Sequence, residues 1–131
     1  MSDSANGNPQ SAGRTPLTIL AVDDDALVLM STSAMIEELG HSVIEAVSAR
    51  EALGVLRDGA AVDLVITDQA MPDMTGVELA KAVQTEWPHV PVVLATGYSD
   101  LPPGSPPFAM IGKPFSETDL ARTIEEAFSR R

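Results

Sequence analysis

A chain of 131 residues is long enough to bury one sizeable core and too short for two; with 44% hydrophobic and 21% charged residues it is globular in composition, not disordered. Nineteen acidic against eight basic residues give a net charge of −11, which repels phosphate backbones and anionic lipid surfaces, so neither nucleic acid nor membrane is an expected partner. The absence of cysteine excludes disulfides and thiolate metal sites, and neither end carries the apolar run of a signal peptide or membrane span, so a soluble, cytoplasmic protein is expected.

Residues 1–16 contain Ser, Asn, Gly, Gln and Pro with almost no apolar side chain, a composition that cannot repay the entropy of ordering, so a flexible tail is expected before a domain over 17–131. Leu17 to Val22 is a short apolar run ending in Asp23-Asp24-Asp25, which predicts a buried strand with carboxylates at its tip. The acidic run suits the first turn of a helix over Asp25 to Leu39, with Val28, Met35, Ile36 and Leu39 at helical spacing and Gly40 as its stop. Ser42 to Val47 predicts a second strand, and Ser48 caps a helix that carries Ala49, Ala52, Leu53, Val55 and Leu56 and stops near Gly59.

Val62 to Asp68 is a third strand, rich in β-branched and aliphatic residues, that ends in a carboxylate and enters a loop with Pro72 and Gly76. Thr75 caps a helix with Val77, Leu79, Ala80 and Val83 that runs to Trp87, closed by Pro88. Pro91 to Thr96 and Phe108 to Gly112 are the fourth and fifth strands, and the last helix starts after Ser116 and passes through Leu120, Ile124 and Phe128. Between Thr96 and Phe108 stand Pro102, Pro103, Pro106 and Pro107. Each would cost roughly 3 kcal/mol inside a helix, so no regular helix is expected there. The alternation of strands and helices predicts right-handed crossovers and an α/β fold, a doubly wound five-stranded parallel sheet.

In such a sheet ligands bind at the carboxyl ends of the strands. Three carboxylates (Asp23, Asp24, Asp68), the hydroxyl of Thr96 and the ammonium of Lys113 all fall at that edge. Two carboxylates about 4 Å apart repel by roughly 4 kcal/mol at an effective dielectric of 20, so the cluster requires cations. Lys113 supplies one, and Mg²⁺, with its preference for hard oxygen ligands, suits the remainder. A carboxylate beside such a metal can act as a nucleophile toward a phosphoryl group, whose transfer needs alignment and charge neutralisation.

With Asp23-Asp24 after the first strand, Asp68 in Asp-Gln-Ala-Met-Pro-Asp-Met-Thr-Gly, Ala95-Thr96-Gly97 after the fourth and Lys113-Pro114-Phe115 after the fifth, the chain from about Leu17 to Phe128 resembles the receiver domain of bacterial two-component response regulators. The resemblance implies a flavodoxin-like receiver fold in which Asp68 is the phosphoacceptor. Asp24, Asp68 and the carbonyl of Ala70 would hold Mg²⁺, and Asp23 would act through a metal-bound water. It further implies that Thr96 hydrogen-bonds the phosphoryl group, that Lys113 pairs with it, and that the Lys113-Pro114 bond is cis. The phosphoryl donor would be a phosphohistidine on a histidine kinase or a histidine phosphotransfer protein. The chain would be a switch and not a turnover enzyme, a monomer or weak dimer acting by protein contact or phosphorelay.

Two positions depart from the family pattern. Met110 stands where an aromatic switch residue is usual, three places before the lysine, which leaves Tyr98 as a candidate reporter of the phosphorylation state. The Pro-rich interval resembles a subset of receivers with a loop in place of the fourth helix, found among single-domain regulators and hybrid sensor kinases. Ala70 offers no side chain to orient an attacking water and Tyr98 could shield the site, so slow self-hydrolysis is expected. Two other functions compete: a Mg²⁺-dependent phosphohydrolase working through an aspartyl phosphate, which would need a second acid where Ala70 stands, and a receiver-fold scaffold that has lost phosphorylation. Asp25 reads as a helix cap, His41 and His89 as solvated residues near turns, Met30, Met35, Met74 and Met110 as packing residues, and Trp87 as a half-buried anchor.

Overall fold

The computed structural model describes residues 16–97 and 109–129. The expected tail up to Thr15, Tyr98, the Pro-rich interval and Arg130-Arg131 lie outside the described residues. Five parallel strands, β1 (Thr18–Val22), β2 (Ser42–Ala46), β3 (Leu64–Asp68), β4 (Val92–Thr96) and β5 (Ala109–Gly112), form one sheet in the order β2-β1-β3-β4-β5. Among the described residues there are four helices, α1 (Ala26–Glu38), α2 (Ala49–Arg57), α3 (Gly76–Glu86) and α4 (Glu117–Ser129). The strand order reverses between β1 and β3, the place where open α/β sheets form a crevice at their carboxyl ends.

Strand periodicity divides the core in two. Leu20, Val22, Val65, Val92 and Leu94 pack toward α2 and α3, whereas Ile19, Ala21, Leu64, Ile66, Val93, Ala95 and Ile111 pack toward α1 and α4. Because both of their faces are covered, the interior strands β1, β3 and β4 read as nearly continuous apolar runs, whereas the edge strands β2 and β5 carry exposed residues such as Glu45 and Met110.

Each described helix entry is capped by the residue type its sequence offers. The Asp25 carboxylate accepts the N–H groups of Leu27 and Val28 at 3.0 and 3.2 Å, and Ser48 Oγ accepts from Glu51 at 3.0 Å. Thr75 and Glu78 form a reciprocal capping box at α3. Ser116 and Asp119 exchange two bonds of 3.1 Å at α4. Gly40 and Gly59, at φ of 95° and 92°, end α1 and α2 in the left-handed region.

Three expectations need correction. Of the expected Val28, Met35, Ile36 and Leu39, Ile36 is fully buried but the other three are only half-buried, Val28 and Met35 flanking a cleft; the buried stripe of α1 is Leu29, Thr32, Ser33 and Ile36. Met30 on α1 and Met110 on β5 are 63% and 51% exposed, so they are not packing residues, while Met35 and Met74 do pack against the core. Met30 sits about 100° around the helix from Leu29, and Met110 has the opposite parity to buried Ile111. His41 is buried, not solvated: its Nδ1 accepts the Leu17 N–H at 3.0 Å, as Asp63 Oδ2 accepts that of Thr18 at 2.9 Å. Side-chain acceptors preceding β2 and β3 thus hold the entry of the interior strand β1.

Candidate functional site

Extending the same alternation by one residue beyond β1 and β5 puts Asp23 and Lys113 on the α1/α4 side of the sheet, the side to which Asp68 belongs within β3. The three therefore meet at the sheet edge although 45 and 90 residues separate them. Lys113 Nζ lies 2.9 Å from Asp68 Oδ1 and 3.3 Å from Asp23 Oδ2. Asp23 and Asp68 are buried, 5% and 7% exposed, while Asp24 is exposed at the rim. One carboxylate oxygen from each of the three aspartates lies within 4.8 Å of the others.

The backbone holds these groups in place. Asp23 N–H donates to the Ala46 carbonyl at 3.1 Å and its Oδ1 accepts the Asp25 N–H at 2.9 Å. Lys113 N–H donates to the Thr96 carbonyl at 2.8 Å, and the Lys113-Pro114 bond is cis. Thr96 closes β4 opposite Gly112 and is half-buried, Ala70 is exposed in the loop that follows β3, and Met110 pairs with Leu94 across β4 and β5. A void of about 10 Å³ lies beneath the carboxylates, lined in part by Asp23, Asp68, Ala95, Lys113 and Phe115. A wider apolar cleft of about 410 Å³ opens beside it, between α1 and the Lys113-Pro114-Phe115 corner.

Three carboxylates facing one ammonium leave an excess of negative charge. Burial raises the Asp68 carboxyl above the usual carboxylate range and Asp23 adds to this, although Lys113 and the Ala70 N–H oppose it. For Lys113, burial alone would lower its proton affinity, but the hydrogen bonds and charges of Asp68 and Asp23 outweigh it and hold the ammonium protonated. A site with two uncompensated charges and oxygen donors from three side chains fits a small hard divalent cation such as Mg²⁺.

The loop after Asp68 carries a residue that sequence reasoning passed over. Gln69 is buried and its Oε1 accepts the Val77 N–H at 2.7 Å, while its carbonyl accepts from Met71 and Gly76 at 3.0 and 3.1 Å. An amide side chain between a buried strand and a helix cap was the available signal. Asp73, at φ 68°, forms a three-residue turn closed by Met74 N–H on the Pro72 carbonyl at 2.7 Å. Gly76 packs so closely on β3 that a Cβ there would lie 2.5 Å from the Asp68 carbonyl oxygen.

Comparison with known proteins agrees with this arrangement. The sequence profile of the response regulator receiver domain matches residues 19–125. The chain is 31% identical over 120 residues to the sensor kinase CckA of Brucella abortus, covering 87% of this chain and 13% of that protein. It is 32% identical to the transcriptional regulatory protein GlrR of Escherichia coli, covering 88% of this chain and 27% of that one. The figures for the transcriptional regulatory protein PdtaR of Mycobacterium tuberculosis are 32%, 88% and 58%. The chain thus spans from 13% to 58% of the length of these relatives. Among solved structures it is similar to a response regulator receiver domain protein from Clostridium thermocellum, with a TM-score of 0.79, 29% identity, and coverage of 87% of this chain and 95% of that one. It is also similar to a CheY-like receiver domain protein from Methanospirillum hungatei, with a TM-score of 0.78, 30% identity, and coverage of 88% and 96%. A parallel sheet in this strand order, an acidic cluster bridged by a lysine at its carboxyl edge, and a profile match spanning nearly all of both place the chain in the response regulator receiver domain family of two-component signalling.

Proposed function

We propose that the chain accepts a phosphoryl group on Asp68 from a phosphohistidine, on a histidine kinase or a histidine phosphotransfer protein, and works as a switch or relay in the cytoplasm, not as a turnover enzyme. The single observation that carries this reading is Lys113 Nζ, shared between Asp68 and Asp23 at 2.9 and 3.3 Å at the tip of β3. An Asp68 carboxylate oxygen would attack phosphorus as the bond from phosphorus to the donor nitrogen breaks, and the leaving imidazole would take up a proton. Lys113 would turn from Asp68 to the phosphoryl oxygens, and the Thr96 hydroxyl would donate to one of them. Asp24, Asp68 and the Ala70 carbonyl would bind Mg²⁺, with Asp23 reaching it through water; the ion would supply charge neutralisation of the phosphoryl oxygens. Ala70 has no side chain able to steer water at the resulting acyl phosphate, which supports slow self-hydrolysis.

The test is intact mass after incubation with Mg²⁺ and a small acyl phosphate, comparing wild type with Asp68→Asn. One phosphate adduct is expected, dependent on Mg²⁺ and lost in the variant. No adduct on folded wild-type protein would leave a scaffold and refute the proposal.

A further inference from the structure

The first turn of α3 presents four backbone N–H groups without partners inside the helix, and such groups need acceptors. Two are held by the capping box, in which Thr75 Oγ takes Glu78 N–H and Glu78 Oε1 takes Thr75 N–H. The other two go to Gln69: its carbonyl takes Gly76 N–H and its side-chain Oε1 takes Val77 N–H, at 3.1 and 2.7 Å. The same Gln69 carbonyl accepts Met71 N–H at 3.0 Å, closing a three-residue turn centred on Ala70, and Gln69 N–H donates to Ala95 in β4 at 3.1 Å. Half of the helix cap and the turn that orients Ala70 therefore depend on one buried residue next to Asp68.

We propose that the Gln69 side chain is a positioning residue: by clamping α3 to the residue after Asp68, it fixes the Ala70 peptide in the orientation that serves the metal and the phosphoryl group. This rests on the phosphoacceptor reading above. Thr75 caps the same helix turn from outside the Asp68 loop, so it supplies a matched comparison. Removing either side-chain acceptor weakens the cap, but only Gln69 transmits that change to Ala70. Gln69→Met keeps the length and apolar volume of the side chain and removes the amide oxygen, whereas Thr75→Ala removes the other cap.

The experiment measures Mg²⁺ affinity of the unphosphorylated protein by titration calorimetry, together with adduct formation from a small acyl phosphate. Gln69→Met should bind Mg²⁺ about ten-fold more weakly, the lower end of what outer partners of a metal ligand contribute, and Thr75→Ala should bind it within two-fold of wild type. Equal affinity in wild type and Gln69→Met, or equal losses in both variants, would overturn the proposal. Wild type that binds no Mg²⁺ and forms no adduct would instead overturn the phosphoacceptor reading on which it rests. Should Gln69→Met not fold, amide exchange on wild type decides the matter. Coupling is reciprocal, so Mg²⁺ should slow exchange at Val77 more than at Glu78, and equal protection at both would count against the clamp.

Discussion

Replacing Gly76 by alanine tests how tightly α3 is seated on the strand that bears Asp68. A Cβ on Gly76 would lie 2.5 Å from the Asp68 carbonyl oxygen, 2.9 Å from Gln69 Cα and 3.0 Å from Leu94 Cδ2. The first two are backbone atoms and cannot rotate away, so the seam must open by about 0.9 Å at the nearest contact to reach ordinary van der Waals distance. Overpacking of this kind costs about 1–3 kcal/mol, against a propensity gain of at most about 1 kcal/mol for alanine over glycine. Because the clash is with backbone, the cost belongs at the upper end of that range, and the net expectation is a loss of about 2 kcal/mol, a fall in Tm of roughly 8 °C for a domain of this size.

Gly54 is the internal control. It lies inside α2 and its added Cβ would meet nothing within 4 Å, so Gly54→Ala should gain about 0.5–1 kcal/mol. Urea denaturation and calorimetry of both variants, with unchanged m-values, would read the two signs directly. Gly76→Ala at or above wild-type stability, beside a stabilised Gly54→Ala, would refute the close approach of α3 to the Asp68-Gln69 peptide.

Asp68→Asn should stabilise the metal-free protein at neutral pH, because the raised proton affinity of Asp68 means that its ionised form is disfavoured in the fold. A group raised in this way contributes most when protonated, so the advantage of the variant should shrink as pH falls through the carboxylate range, and denaturation at several pH values would show it. Lys113→Met should destabilise the metal-free protein by leaving Asp23 and Asp68 facing one another, and Mg²⁺ should restore part of the loss; a Tm unaffected by Mg²⁺ in this variant would contradict the charge argument. His41→Phe should cost about 1–3 kcal/mol, since the buried Leu17 N–H loses its acceptor; unchanged urea denaturation would show that another group takes over.

The strand tips were the most legible part of the sequence. Apolar runs ending abruptly in Asp23, Asp68, Thr96 and Lys113 predict both the sheet and the edge at which those residues gather, because the buried interior strands of a parallel sheet place charged residues at their ends. Helix caps were legible for a similar reason: Asp25, Ser48, Thr75 and Ser116 each precede a helical period. The side of α1 was not, because Val28 and Leu29 are adjacent and both apolar, and only packing against Ile36 and the sheet selects between them. His41 was misread because its partner is a backbone N–H 24 residues earlier, which leaves no pattern in the local sequence. Gln69 was missed because its bond to Val77 spans eight residues of irregular loop.

Lys113 is delivered by β5, a four-residue strand at the margin of the sheet that, among the described residues, pairs with β4 alone. Asp23 and Asp68 leave two interior strands, β1 and β3. Marginal strands open more readily than central ones, so brief fraying of β5 would withdraw the ammonium while the two buried carboxylates stay where they are. The charge state of the crevice is thereby tied to an edge of the sheet. Any contact that steadies or loosens β5, however far from the aspartates, changes how often their countercharge is in place.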